Sequence, residues 1–283
     1  MKIHLIIQNQ KRMNKFVDQT FTRILMKQTS IIVLIFFLLV SYSFAKPGTD
    51  AKQIFKNSKR NLSLINVHLF MDVKTFDKKG IEKSKSLEVS FAEFNEQKKV
   101  LISILAPENM SGMKILSTDY LNKKGIIEIY MPATDKIQKI RAGQHHTKIL
   151  ESGVPINIFR SIVDDNLKYT IIGEETIQGK PCYKIKIGNT EKNREYKIAC
   201  VSKEQNRLLS LKEFDNRKNI IMSTVMANYQ TVTNPKKLVY PKEIEITNFK
   251  TGKRSIVKIK QASYLFNAKI DDFKLNPKNS SNH

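Results

Sequence analysis

From Leu62 to Tyr264 apolar and polar residues alternate with a period of two, in short runs broken by turn residues, and this pattern constrains the fold most. Ile65, Val67, Leu69, Met71 and Val73 alternate with Asn66, His68, Phe70 and Asp72. Leu87, Val89 and Phe91 alternate with Glu88, Ser90 and Ala92. Successive strand side chains point to opposite faces, so these runs give strands with one apolar and one wet face, the signature of an antiparallel sheet. Similar runs follow at Val100–Leu105, Met113–Tyr120, Gly125–Tyr130, Lys136–Arg141, Tyr169–Gln178, Cys182–Ile187 and Arg194–Val201, then at Leu208–Phe214, Asn219–Gln230, Leu238–Phe249 and Arg254–Tyr264. Asp77-Lys-Lys-Gly80, Asn122-Lys-Lys-Gly125, Gly188-Asn189 and Lys250-Thr-Gly252 separate strands at hairpin distances. A sheet of about ten or more strands twists and curls rather than staying flat.

Two segments read as helices. In Asp50–Arg60, Thr49 or Asp50 caps the start, and Ala51, Ile54 and Phe55 share a face. In Pro155–Asp165, proline sits in the first turn and Ile158, Phe159, Ile162 and Val163 form one stripe. The expected fold is mainly β: a curled antiparallel sheet forming an incomplete β-barrel, covered by about two helices. Two helices are too few to cover such a sheet fully, so the pattern predicts a hydrophobic cavity for acyl chains. Leu69, Met71, Val89 and Phe91 are its expected wall, and Ile158, Phe159 and Ile162 its cover.

The N-terminus points to export. Ile31–Val40 is one apolar run, followed by Ser41-Tyr-Ser-Phe-Ala45 and then Lys46. Ten apolar residues are short of the roughly 20 that span a bilayer. They suit the apolar segment of a signal peptide, with Ser43 and Ala45 as the small residues before a cut between Ala45 and Lys46. Residues 1–45 are therefore read as a signal peptide, with Met26 as an alternative start that gives a leader of ordinary length. An uncleaved membrane anchor is the competing reading. Residues 46–275 form a single domain, and 276–283 a flexible tail. The expected location is the periplasm.

The chain carries 49 Lys+Arg against 26 Asp+Glu, a net charge of +23, but only nine of the 49 are Arg. Removing residues 1–45 takes away six basic and one acidic residue, leaving 43 against 25, or +18. A surplus dominated by Lys, without basic blocks or interleaved aromatics, fits membrane head groups better than nucleic acid. No nucleic-acid partner is expected, and the protein is expected to be a monomer.

Catalytic chemistry is not visible. His145 and His146 are adjacent, so on a strand they face opposite ways, and no acidic or Cys partner stands at ligand spacing. Asp164-Asp165 and Asp271-Asp272 lack a partnered base. Neither a nucleophile elbow, a phosphate loop nor a zinc-protease motif is present. No enzyme activity, metal or cofactor is expected. The two cysteines, Cys182 and Cys200, fall on neighbouring strands whose paired positions would sum to about 381 with a six-residue loop. That register leaves two alternatives, a cross-strand disulfide or two buried free thiols.

A wider pattern resembles a known family. It runs through Ile102-Ser-Ile-Leu-Ala-Pro107, Met110-Ser-Gly-Met-Lys-Ile-Leu-Ser117, Gly125-Ile-Ile-Glu-Ile-Tyr-Met-Pro132 and Lys136-Ile-Gln-Lys-Ile-Arg141. Gly173-Glu-Glu, Gly179-Lys-Pro-Cys-Tyr183, Lys250-Thr-Gly-Lys253 and Ile270-Asp-Asp-Phe273 continue it. Over residues 60–275 the chain resembles the outer-membrane lipoprotein-sorting family, proteins similar to the periplasmic lipoprotein carrier. Glu151-Ser-Gly-Val-Pro155 departs from the family's Gly-Ser-Asp-Phe stretch before the middle helix. The resemblance implies a helix-lidded half-barrel that binds lipid or lipoprotein acyl chains during outer-membrane sorting. The favoured function is a periplasmic carrier or chaperone. The alternatives are a soluble accessory protein of a lipid-exporting inner-membrane transporter and, in third place, a lipid-modifying enzyme.

Overall fold

The computed structural model describes residues 50–62, 64–95, 97–120, 125–141, 164–189, 195–233, 237–265 and 267–275. Helix α1 (Ala51–Leu62) leads into strands β1 (Val67–Phe76), β2 (Glu82–Phe94), β3 (Gln97–Ala106), β4 (Lys114–Tyr120), β5 (Ile126–Met131) and β6 (Lys136–Arg141). A second series follows: β7 (Lys168–Ile177), β8 (Lys180–Gly188), β9 (Tyr196–Ser202), β10 (Leu208–Phe214), β11 (Ile220–Val232), β12 (Leu238–Asn248) and β13 (Lys253–Tyr264).

All 13 strands form one sheet in the order β6-β5-β4-β3-β2-β1-β13-β12-β11-β10-β9-β8-β7. Each series is an antiparallel meander, and the pairing of β1 with β13 joins them, Val73 facing Val257 and Val67 facing Tyr264. The chain thus starts and finishes its sheet at the centre, while β6 and β7 are the two edges. The result is an open antiparallel sheet, an incomplete barrel, as the alternation implies.

Local chemistry sets the hairpins. Asp77 Oδ1 accepts hydrogen bonds from the backbone N–H groups of Lys79 at 2.8 Å and Ile81 at 2.9 Å. Asp215 Oδ1 does the same for Arg217 at 2.9 Å and Asn219 at 2.8 Å. Asn248 Oδ1 accepts from Thr251 N–H at 3.0 Å. Three hairpins therefore share one device, a short polar side chain that satisfies turn donors.

Helix α1 is the described long helix, and its buried residues Ala51, Ile54, Phe55, Ser58, Lys59 and Leu62 mark one stripe. It packs across β7, β9, β10 and β12. The second expected helix, Pro155–Asp165, lies outside the described residues except for its end, where Asp164 and Asp165 stand in a turn entering β7. Asp164 Oδ1 accepts from Asn166 N–H at 2.9 Å there.

On the outer face a smaller cluster of Ala92, Leu116 and Phe273 is closed by the 3-10 turn Ile270–Phe273. The Phe273 and Phe94 rings meet edge to face at 5.6 Å. The closing Ile270-Asp-Asp-Phe273 segment is thus an anchor for the C-terminal end of the sheet.

Candidate functional site

The inner face of the sheet is a continuous apolar surface. Register builds it strand by strand: Leu69 stands opposite Val89, Met71 opposite Leu87, and Val67 opposite Phe91. Val89 faces Ile102, and Ile102 faces Ile115. On the other side Met71 faces Ile259, Val257 faces Ile244, and Ile244 faces Met226. Ile54, Phe55 and Leu62 of α1 join the same cluster.

The structure brings together the four expected wall residues Leu69, Met71, Val89 and Phe91, each less than 9% exposed. The expected cover residues Ile158, Phe159 and Ile162 lie outside the described residues, as do Ala45, Lys46, His145 and His146. The expected wall takes in only the early strands, while Ile102, Ile115, Met226, Ile244 and Val257 continue the same face, their own runs carrying the same parity.

The inner face also holds charge that the sequence reading missed. Lys59 of α1 is 7% exposed. Burial, and then the neighbouring Lys197 ammonium, push its amine down to about 8. Lys197 lies on the inner parity of β9, opposite Ile187, and its ammonium sits 3.5 Å from Glu213 Oε2. The signal was present: Lys59 follows Phe55 by four positions, on the stripe of Ala51 and Ile54. Nearby, Tyr169 of β7 tilts against Phe55 with 5.6 Å between ring centroids. Tyr229 donates from its hydroxyl to the Leu208 carbonyl oxygen at 2.5 Å, and burial raises its phenol.

The wet face carries ion pairs. Arg254 grips Glu245 through Nε at 2.7 Å and through a second nitrogen at 3.0 Å. Lys260 pairs with Asp72 at 3.1 Å. Lys258 and Lys260 are exposed while Val257 and Ile259, which alternate with them, are buried, the expected alternation of β13.

The cysteines correct the expected register. Paired positions in β8 and β9 sum to 384, so Cys182 stands opposite Ser202 and Cys200 opposite Lys184. The cause is the loop: β8 runs to Gly188 and β9 begins at Tyr196, later than Arg194. Cys182 and Cys200 become diagonal neighbours on one face, with their thiols in mutual contact. Both are buried free thiols. Cys182 Sγ donates to the Glu175 carbonyl oxygen at 3.0 Å, and Cys200 Sγ approaches Glu175 Oε2 at 3.6 Å. Burial raises both thiols, Cys200 to about 12. A thiol count on denatured, unreduced protein is expected to give two, with slow labelling in the folded state. A count of zero would show a cross-strand disulfide instead.

Among the described residues no group of His, Cys, Asp and Glu could hold a metal ion, and no helix is long and apolar enough to cross a membrane.

Known proteins place this architecture. A family profile described as "Uncharacterized protein" matches residues 96–277, and the chain belongs to that family. No curated protein sequence matches the chain. Among solved structures, a domain named for outer membrane lipoprotein sorting from Vibrio parahaemolyticus is similar at 14% identity and a TM-score of 0.65, over 79% of this chain and 95% of that one. A DUF1329 family protein from Desulfovibrio piger is similar at 15% identity and a TM-score of 0.66, over 80% and 98%. A LolA superfamily protein from Nitrosomonas europaea is similar at 14% identity and a TM-score of 0.58, over 81% and 99%. At these identities the likeness establishes the fold alone: this chain has a LolA-like fold.

Proposed function

We propose that this protein is a non-enzymatic periplasmic carrier that holds lipid or lipoprotein acyl chains against the inner face of its sheet. The observation that carries the reading is the extent of that face. Helix α1 lies over β7, β9, β10 and β12, while the apolar surface continues across β1, β2, β3, β4 and β5 through Leu69, Val89, Ile102, Ile115 and Ile127. Fold alone does not fix function. Here fold and site chemistry agree, because an apolar surface lined by Leu, Ile, Val and Met suits an alkyl chain and offers little to a polar substrate.

The charged pair Lys197–Glu213 and the amine of Lys59 stand on the same surface, beside α1, and would meet the polar end of a lipid. A fluorescent fatty-acid probe tests the reading. Saturable binding, displaced by a long-chain fatty acid and not by a short one, is the expected result. No binding, with the protein folded, would refute it.

Export belongs to the same proposal. The exported protein is expected to begin at Lys46 when its N-terminus is sequenced; a full-length, membrane-held product would refute cleavage after Ala45.

A further inference from the structure

Three hairpin turns at one end of the sheet combine exposed apolar tips with basic residues. They are the β1–β2 turn at 77–81, the β10–β11 turn at 215–219 and the β12–β13 turn at 249–252. The strand order β2-β1-β13-β12-β11-β10 sets these hairpins side by side. Their contacts agree. A Cβ placed on Gly252 would come within 2.9 Å of Lys78 Cβ, and the backbone there has a φ of +64°. Phe249 N–H donates to the Ile221 carbonyl oxygen at 3.0 Å. Asp215 is held below the ordinary carboxylate range by the Asn219 backbone and side chain, the Arg217 N–H and the ammonium of Lys250 from the next turn.

At these tips Ile81 is 56%, Phe249 55% and Ile220 37% exposed. Single exposed apolar residues are ordinary, but here three share one rim. Around them stand Lys78, Lys79, Arg217, Lys218, Lys250 and Lys253. Of the acidic residues of these turns, Asp77 has one carboxylate oxygen engaged by turn amides and Asp215 has both. The six basic and two acidic residues of 77–81, 215–220 and 249–253 leave a net +4. Just beyond, Glu82 is paired with Lys74 at 2.8 Å.

We propose that this rim docks on the surface of a membrane containing anionic lipid, with Ile81, Ile220 and Phe249 entering the interface and the basic side chains meeting the head groups. Apolar tips gain by leaving water for the acyl boundary, while long lysine stems let the charge stay at head-group level. Anionic lipid supplies the complementary charge. The rim lies at strand ends, apart from the inner face, so this inference stands independently of the carrier reading.

The test is flotation of the exported protein with vesicles of about one-third phosphatidylglycerol in phosphatidylcholine, and with phosphatidylcholine alone. Wild type is expected to bind the anionic vesicles only, and to be released by high salt. Lys78→Gln with Lys250→Gln is expected to weaken binding about 30-fold. Ile81→Ser with Phe249→Ser should weaken it about 10-fold or more. Ile65→Ser, at an exposed apolar site before β1, should leave it unchanged. Equal binding to both vesicles would overturn the proposal, as would rim variants that bind like wild type. So would a dimer that Phe249→Ser dissociates, with no vesicle binding.

Discussion

Met71→Glu is expected to abolish binding of a fluorescent fatty acid while leaving a folded protein. Met71 stands between Leu87 of β2 and Ile259 of β13, with a register shift of β1 against β13 just before it. A carboxyl group there offers an alkyl chain a polar neighbour it cannot satisfy, at a cost of about 2–7 kcal/mol, or at least about 30-fold in affinity. A ligand-holding face should tolerate the substitution by letting the carboxyl reach the cavity, whereas a solid core would not. Met71→Leu, similar in volume and apolar, should bind the probe like wild type. If Met71→Glu unfolds the protein in circular dichroism while wild type binds no probe, the face is packed core.

Lys59→Met is expected to raise stability at neutral pH. Burial and the nearby Lys197 hold the Lys59 amine near 8 in the folded chain, against 10.5 as the ordinary value. Below pH 8 the amine is protonated folded and unfolded, and the full cost of the buried charge is present. Between 8 and 10.5 the unfolded chain binds more protons, so stability rises with pH, and above that window the cost is gone. A difference of 2.5 pH units corresponds to about 3 kcal/mol. Urea denaturation of both proteins across this window should show Lys59→Met ahead by up to about 3 kcal/mol at neutral pH, the gap closing as pH rises. A gap independent of pH would contradict the assignment.

The amine also marks where sequence reasoning stopped. The stripe Ala51, Ile54 and Phe55 located α1, but a lysine four residues past Phe55 reads by default as solvated, and only the packing of α1 over β9 buries it. The strands were legible because alternation reports faces directly, as in Lys258 and Lys260 against Val257 and Ile259. Pairing was less so. Neighbouring hairpins follow from turn residues such as Asp77 and Asp215, but the β8–β9 register depends on loop geometry, which apolar parity does not encode. A pair sum of 384 in place of about 381 leaves Cys182 and Cys200 on one face but sets them on a diagonal. The joining of β1 to β13 brings together segments almost the full domain apart in sequence, and no local pattern reports it. The inner wall at Leu69, Met71, Val89 and Phe91 was readable from parity alone; its continuation through Ile244 and Met226 needed the sheet order.

The central claim is that the inner face holds acyl chains, and the most direct measurement is mass spectrometry of lipids released from the protein purified out of a periplasmic extract. Acyl-bearing species in near-stoichiometric amount are expected, lost from Met71→Glu and retained by Met71→Leu. Protein recovered folded and free of any acyl species, with wild type and Met71→Glu indistinguishable, would contradict it.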